Sequence, residues 1–243
     1  MKSFRKDLEK FEEKLRLKEN FSFARYGDGE MSIIENKTID ILNKENGEFN
    51  FYSDKEEDKK YQKMLIDAFT NKSKNYFIGI ACPCCVGNNN FLHMKKRSEQ
   101  DEENLTWANL FVNSNYSYFI SNIVPIFSNY DVYIVCNEKA SLERLPFAKK
   151  IKKDWRVGSN AWKNDHRIEN EIKSMNVSNS LFLFAAGPYS KILCHRLWNF
   201  NNNNIYLDIG STLDPLLFGN RGFTRGYLRG APTLKKTCIW GEQ

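Results

Sequence analysis

Asp28 and Glu30 are two carboxylates separated by one glycine, and a turn carrying such a pair can aim both at one hard cation. Mn²⁺ or Mg²⁺ suits oxygen ligands of this kind. Two protein carboxylates leave coordination positions open, which diphosphate oxygens can fill, and the metal then offsets charge on a departing phosphate group. Gly27 and Gly29 let the backbone turn sharply and approach a ligand. The competing reading is a solvated Asp-Gly turn, since such pairs are standard turn formers.

A second group of carboxylates, Asp208 and Asp214, flanks a Gly-Ser turn that contains Ser211. A carboxylate there can accept the proton of a substrate hydroxyl, and Asp214 is the preferred base, with Asp208 as the other choice. Asp214 also precedes Pro215, so it can equally cap a helix. Gly187, in Ala185-Ala-Gly-Pro188, either lets a phosphate approach the amides of a helix start or makes a close strand-to-helix turn. Arg25, Arg221, Arg225 and Arg229 are further phosphate candidates, because guanidinium groups match phosphate oxygens in bidentate fashion.

Cys82-Pro-Cys-Cys85 contains the C-x-x-C spacing of thiol redox and zinc motifs. A structural zinc site normally has four ligands, and no second Cys or Cys/His pair stands at a matching spacing. A redox or non-catalytic binding protein working through Cys82 and Cys85 is the alternative class of function. Asn88, Asn89 and Asn90 either contact a ligand or form a polar loop. His93, His166 and His195 are dispersed, with no paired metal spacing. Trp107, Tyr116 and Trp162 read as core aromatics before stacking platforms. No P-loop or Gly-x-Ser-x-Gly elbow appears, which leaves kinase and hydrolase readings without support.

The elements that must position these groups alternate between the two periodicities. Phe4, Leu8, Phe11 and Leu15 form the stripe of an amphipathic helix within residues 1–20. Strands are expected at residues 21–26, 76–81, 131–136, 154–157, 181–185 and 205–209. Helices are expected at 61–69, 105–127, 162–175 and 189–198, with 36–60 and 201–204 as surface connections. The expectation is an α/β fold: a Rossmann-like, doubly wound, mostly parallel sheet of about six strands with helices on both faces. Ligands of such sheets bind beyond the carboxyl ends of the strands, where the Asp-Gly-Glu, Cys-rich, Ala-Ala-Gly and Asp-Ile-Gly-Ser loops are expected.

The 243 residues fit one domain, 1–243, able to bury a sizeable core. A net charge of +6 favours anionic partners, but the lysines form no dense block and no nucleic-acid motif is present, so no nucleic-acid partner is expected. The mixed-charge start and the absence of a bilayer-length apolar run predict a cytoplasmic chain with mostly reduced cysteines. The first helix and the basic balance allow a homodimer or loose membrane-surface association.

The string Phe23-Ala-Arg-Tyr-Gly-Asp-Gly-Glu30, with the later Leu207-Asp-Ile-Gly-Ser211, Asp214 and Arg225-Gly-Tyr227, resembles the bacterial glycosyltransferases of the GT-D fold type. That family, formerly a domain of unknown function, occurs in adhesin-glycosylation and surface-polysaccharide loci. The resemblance covers about residues 21–227, and its Arg-Tyr-Gly-Asp-Gly-Glu segment is the specific part. It implies a Rossmann-like sheet, an Asp-X-Glu metal motif matched by Asp28 and Glu30, and transfer from a UDP-sugar to a hydroxyl of a glycan or glycoprotein acceptor. On this reading Arg25, Gly27, Gly29, Gly187, Ser211 and Arg225 surround the donor.

Overall fold

The computed structural model describes residues 3–42 and 48–219. Ser3 accepts the Lys6 amide and caps α1 (Phe4–Arg16), whose apolar stripe of Phe4, Leu8, Phe11 and Leu15 is buried. The chain continues through β1 (Ser22–Tyr26), α2 (Asp28–Ile34), a hairpin of β2 (Ile39–Asp40) and β3 (Asn50–Phe51), and α3 (Glu56–Phe69). Then come β4 (Tyr76–Ile80), α4 (Pro83–Val86), α5 (Asn88–Ser98) and β5 (Leu105–Trp107). Residues 113–129 form a run of 3-10 and π-helical turns around α6 (Tyr116–Tyr118), followed by β6 (Val132–Asn137) and β7 (Ile151–Val157). The described chain ends with α7 (Ala161–Asn164), α8 (Arg167–Met175), β8 (Leu181–Phe184), α9 (Pro188–Phe200), β9 (Ile205–Asp208) and α10 (Asp214–Phe218).

Among the described residues seven strands form one sheet in the order β5-β4-β1-β9-β8-β6-β7, with every neighbouring pair parallel. Parallel sheets need cover on both faces, and alternate side chains enter two separate cores. Ala24, Tyr26, Phe182, Phe184 and Tyr206 face the core shared with α3, α8 and α9. Phe23, Leu181, Leu183 and Leu207 face the core shared with α1 and residues 113–129. Phe11 of α1 meets the rings of Phe21, Phe23 and Phe77 at centroid distances of 5.1, 4.9 and 5.1 Å. Truncating such a buried ring costs about 3–5 kcal/mol, so α1 is part of the domain. Its apolar stripe is spent inside, leaving only a polar face for any dimer or membrane contact.

The sheet has one strand more than the sequence pattern suggests. The seventh, β5, is three residues at the sheet edge, too short to show a period of two and lying where a helix was expected. The helix expected over 162–175 is split in two, with Asp165 between α7 and α8. The connection over 36–60 also holds more than surface loop. Its hairpin buries Phe49 and Phe51, and both rings pack near Trp162 at 6.4 and 6.3 Å. No helix among the described residues is long and apolar enough to cross a membrane.

Candidate active site

β1 and β9 are adjacent at the centre of the sheet. From β1 the next strands of the sheet, β4 and β5, build one side, while β9 belongs to the other. The order of strands reverses there, and the crevice outside the carboxyl ends of the strands at such a point is where open α/β sheets bind ligands. A cleft of about 1640 Å³ occupies that position. Residues that follow all seven strands of the sheet line it, among them Asp28, Ala81, Asn109, Lys139, Gly158, Ala186 and Ser211.

Lys191 is the organising group of the cleft floor. The turn at Gly187, with φ of +56°, and Pro188 at the helix start place Lys191 in the opening turn of α9. Its buried ammonium stands 2.9 Å from Glu30 Oε1 and 3.1 Å from Asp208 Oδ2, and it donates to the Gly187 carbonyl at 3.1 Å. Burial pushes the Lys191 pKa down, but the Asp208 and Glu30 charges outweigh it and hold the group above its ordinary value. Burial likewise pushes Glu30 up, and Lys191 outweighs it, so Glu30 stays below the usual carboxylate value. The ammonium thus bridges two carboxylates in a place with little water, and Lys191 and Glu30 each hold the other charged.

Asp208 is bonded from every side: its Oδ2 also accepts the Arg25 amide at 3.0 Å, and Oδ1 accepts the Gly210 amide at 3.1 Å. Gly210 has φ of +47°, and a Cβ there would sit 3.0 Å from Arg25 Nη1, so this tight turn requires glycine.

The Asp-Gly-Glu segment is the first turn of a helix, with Gly27 as its N-cap. Neither Gly27 nor Gly29 is among the glycines of positive φ, so the sharp turn expected of them is absent. Gly29 has a packing reason instead: a Cβ would meet Phe49 Cζ at 3.1 Å. Asp28 is exposed, with Oδ1 accepting the Gly29 amide at 3.0 Å and no hydrogen bond at Oδ2 among the described residues. Glu30 Oε2 accepts the Gly27 amide at 3.0 Å. Both carboxylates line the cleft, and a carboxylate oxygen has lone pairs beyond one hydrogen bond. A hard cation would find an open donor in Asp28, while Glu30 is shared with Lys191 and the Gly27 amide.

Arg25 lines the cleft, but its guanidinium is committed to the protein: Nε donates to the Ala108 carbonyl and Nη1 to that of Ile209 at 2.8 Å. It ties the ends of β5 and β9 across β1. Gly187, Ser211 and Asp214 all line the cleft. Asp214 opens α10 as its first residue and Leu213 is the N-cap, so the cap expected of Asp214 falls one position earlier. An acidic group in that first turn still favours the helix. Arg221, Arg225 and Arg229 lie outside the described residues.

The sequence reading missed Lys191, although a lysine inside the apolar run Tyr189–Leu193 is a legible signal. It also missed Lys139 and Arg144, two exposed cations that line the cleft after β6.

The histidines all have partners away from the cleft. His93 pairs with Glu35 at 2.7 Å, His166 meets Tyr61 Oη at 2.8 Å, and His195 meets Asn199 at 2.9 Å. Asn88, Asn89 and Asn90 open α5 on the surface and are not among the cleft-lining residues. Trp107 packs in the core and Trp162 does so at the cleft wall. Tyr116 is half-buried outside the cleft. Cys136 and Cys194 are single buried thiols, and burial pushes Cys136 up to about 11. Cys82, Cys84 and Cys85 are drawn together at the end of β4, and Cys85 lines the cleft.

No protein-family model and no curated protein matches the chain. Solved structures do. One is described as a new glycosyltransferase, domain of unknown function 1792, from Streptococcus sanguinis. It superposes with a TM-score of 0.59 at 15% identity over 85% of this chain and 81% of that one. Another is described as the highly conserved domain of unknown function 1792 with a distinct glycosyltransferase fold. It gives a TM-score of 0.57 at 16% identity, covering 85% of this chain and 78% of that one. At these identities the likeness establishes a shared fold.

Proposed function

We propose that this chain is a glycosyltransferase that moves a sugar from a nucleotide-sugar donor, a UDP-sugar, to a hydroxyl of a glycan or glycoprotein acceptor. The observation that carries the reading is the cleft at the β1–β9 switch point, where carboxylates and cations converge in a fold shared with glycosyltransferases. Its volume of about 1640 Å³ exceeds the roughly 300–1,000 Å³ of single-ligand pockets, which suits a donor and an acceptor held together.

In this reading the acceptor oxygen attacks the anomeric carbon and the bond from that carbon to the donor phosphate breaks. The diphosphate leaves with the electron pair. The acceptor proton passes to Asp214, which opens α10 at the cleft, while the Asp208 carboxylate holds Lys191 and two backbone amides. Lys139 and Arg144 meet phosphate oxygens, taking the part first expected of Arg25. Mn²⁺ or Mg²⁺ held by Asp28 and Glu30 supplies, when bound, positive charge to the departing diphosphate. Lys191 keeps Glu30 in place, so a ligand field exists before substrate arrives.

The test is calorimetric titration of UDP and other nucleoside diphosphates, with Mn²⁺ and with chelator, into wild type and Asp28→Ala. Mn²⁺-dependent UDP binding lost in the variant supports the reading. No nucleotide binding under any condition overturns it.

A further inference from the structure

We propose that Cys82, Cys84 and Cys85 form a three-thiolate site for one thiophilic cation of the zinc class, separate from Asp28 and Glu30. The local fold makes the cluster. Cys82 ends the buried run after β4 and serves as N-cap of α4, with Pro83 opening the helix. The amides of Cys85 and Val86 donate back to the Cys82 carbonyl at 2.9 and 3.2 Å, which curls the chain so that three side chains converge. Their sulfur atoms all lie within 4.8 Å of one another, with Cys82 Sγ and Cys84 Sγ 2.9 Å apart. Zinc–sulfur bonds of about 2.3 Å in a tetrahedron separate sulfurs by about 3.8 Å, so small rotations about the Cys side chains suffice for coordination.

The surroundings fit a metal thiolate. Asn109 Nδ2 lies 3.4 Å from Cys82 Sγ and 3.3 Å from Cys85 Sγ, donating to two of the sulfurs as an outer partner of a bound ion would. Sulfur ligands select soft or borderline ions over Mg²⁺ and Mn²⁺, so the two sites draw on different metals. Cys82 is buried while Cys84 and Cys85 are exposed, which gives an ion both an anchor and an entry path. Cys85 lines the cleft, so the fourth position of a tetrahedral ion opens beside the cleft to water or to a ligand oxygen. The C-x-x-C spacing alone hides this arrangement, since the middle Cys84 completes the set.

The test is titration of the reduced full-length chain with Cd²⁺, followed by the ultraviolet thiolate-to-cadmium absorption. One Cd²⁺ per chain is expected in wild type and equally in Asp28→Ala, with Zn²⁺ competing for the site only in excess because thiolates favour the softer ion. The absorption should vanish in Cys84→Ser/Cys85→Ser, whose side chains are exposed, and Asn109→Ala should bind 10–100-fold more weakly, about the usual effect of removing an outer partner. A second measurement needs no variant: one equivalent of Zn²⁺ should slow alkylation of Cys84 and Cys85 in wild type, read by mass spectrometry. No thiolate absorption, the same absorption in the double variant, or alkylation indifferent to Zn²⁺ overturns the proposal. Retention of the band with no UDP binding would overturn the transferase reading alone.

Discussion

Lys191 Nζ stands 2.9 Å from Glu30 Oε1, so α9 and the first turn of α2 are joined through a charge pair with little access to water. The same ammonium reaches Asp208 at 3.1 Å, which brings β9 into the link. Removing the cation leaves two buried anions facing each other, a defect that costs about 3–5 kcal/mol when a buried pair is broken. Lys191→Met should therefore lower unfolding stability by about that amount, measured by urea denaturation. Adding Glu30→Gln and Asp208→Asn to Lys191→Met should recover part of it, because the uncompensated charge is gone. A single variant as stable as wild type would mean that the triad holds nothing together.

The triad also sets a pH window. Glu30 is held below its ordinary 4.5, so its contribution is present above that value and is lost as pH falls through the lowered one. Lys191 is held above its ordinary 10.5, so its contribution is present below that value and is lost as pH rises further. Urea midpoints measured across pH should fall at both ends, and Lys191→Met should flatten both limbs.

Asp214 and Asp208 should separate by the kind of damage their loss does. Asp214→Asn is expected to lower kcat by about 10²–10⁴, the usual contribution of a positioned acid or base, with the KM for donor little changed. Asp208→Asn should lower the unfolding midpoint, since it removes an ion-pair partner of Lys191. Steady-state rates and denaturation curves on the two variants, side by side, decide the assignment.

Gly79, in β4, is required by a close approach. A Cβ there would sit 3.0 Å from both the Ala108 nitrogen and Cα, and 2.9 Å from the Phe23 ring. Backbone cannot move aside as a flexible side chain can. Gly79→Ala should cost about 1–3 kcal/mol, as overpacked cores do, and should also shift Asn109, the next residue along and a lining group of the cleft. Thermal unfolding checks the first effect.

Much of this arrangement was readable in the residue pattern. Tyr76–Ile80, Val132–Cys136 and Leu181–Phe184 are continuous apolar runs because both faces of a parallel sheet are covered. The position of Asp28 and Glu30 just beyond a strand end is legible in the same way, since they follow β1 and line the cleft. β5 was lost because Leu105–Trp107 is too short to display a period. The structural part of Arg25 was not legible because a guanidinium that suits phosphate suits backbone carbonyls equally well, and only the fold brings Ala108 and Ile209 beside it. Lys191 escaped for the same reason: its partners lie on α2 and β9, and no spacing along the chain connects them.

The central pairing of the sheet carries a consequence for biogenesis. Ser22 and Phe23 of β1 stand beside Tyr206 and Leu207 of β9, so the strand near the beginning of the described chain waits for the last one. The switch-point cleft straddles that seam and can assemble only after β9 has been synthesised. A nascent chain halted before Ile205 would present the unpaired edge of β1 and an apolar face to solvent, a template for aggregation. Long-range closure of this kind slows folding. Expression of fragments that stop short of β9 should consequently yield insoluble material, whereas chains carrying β9 can close the seam.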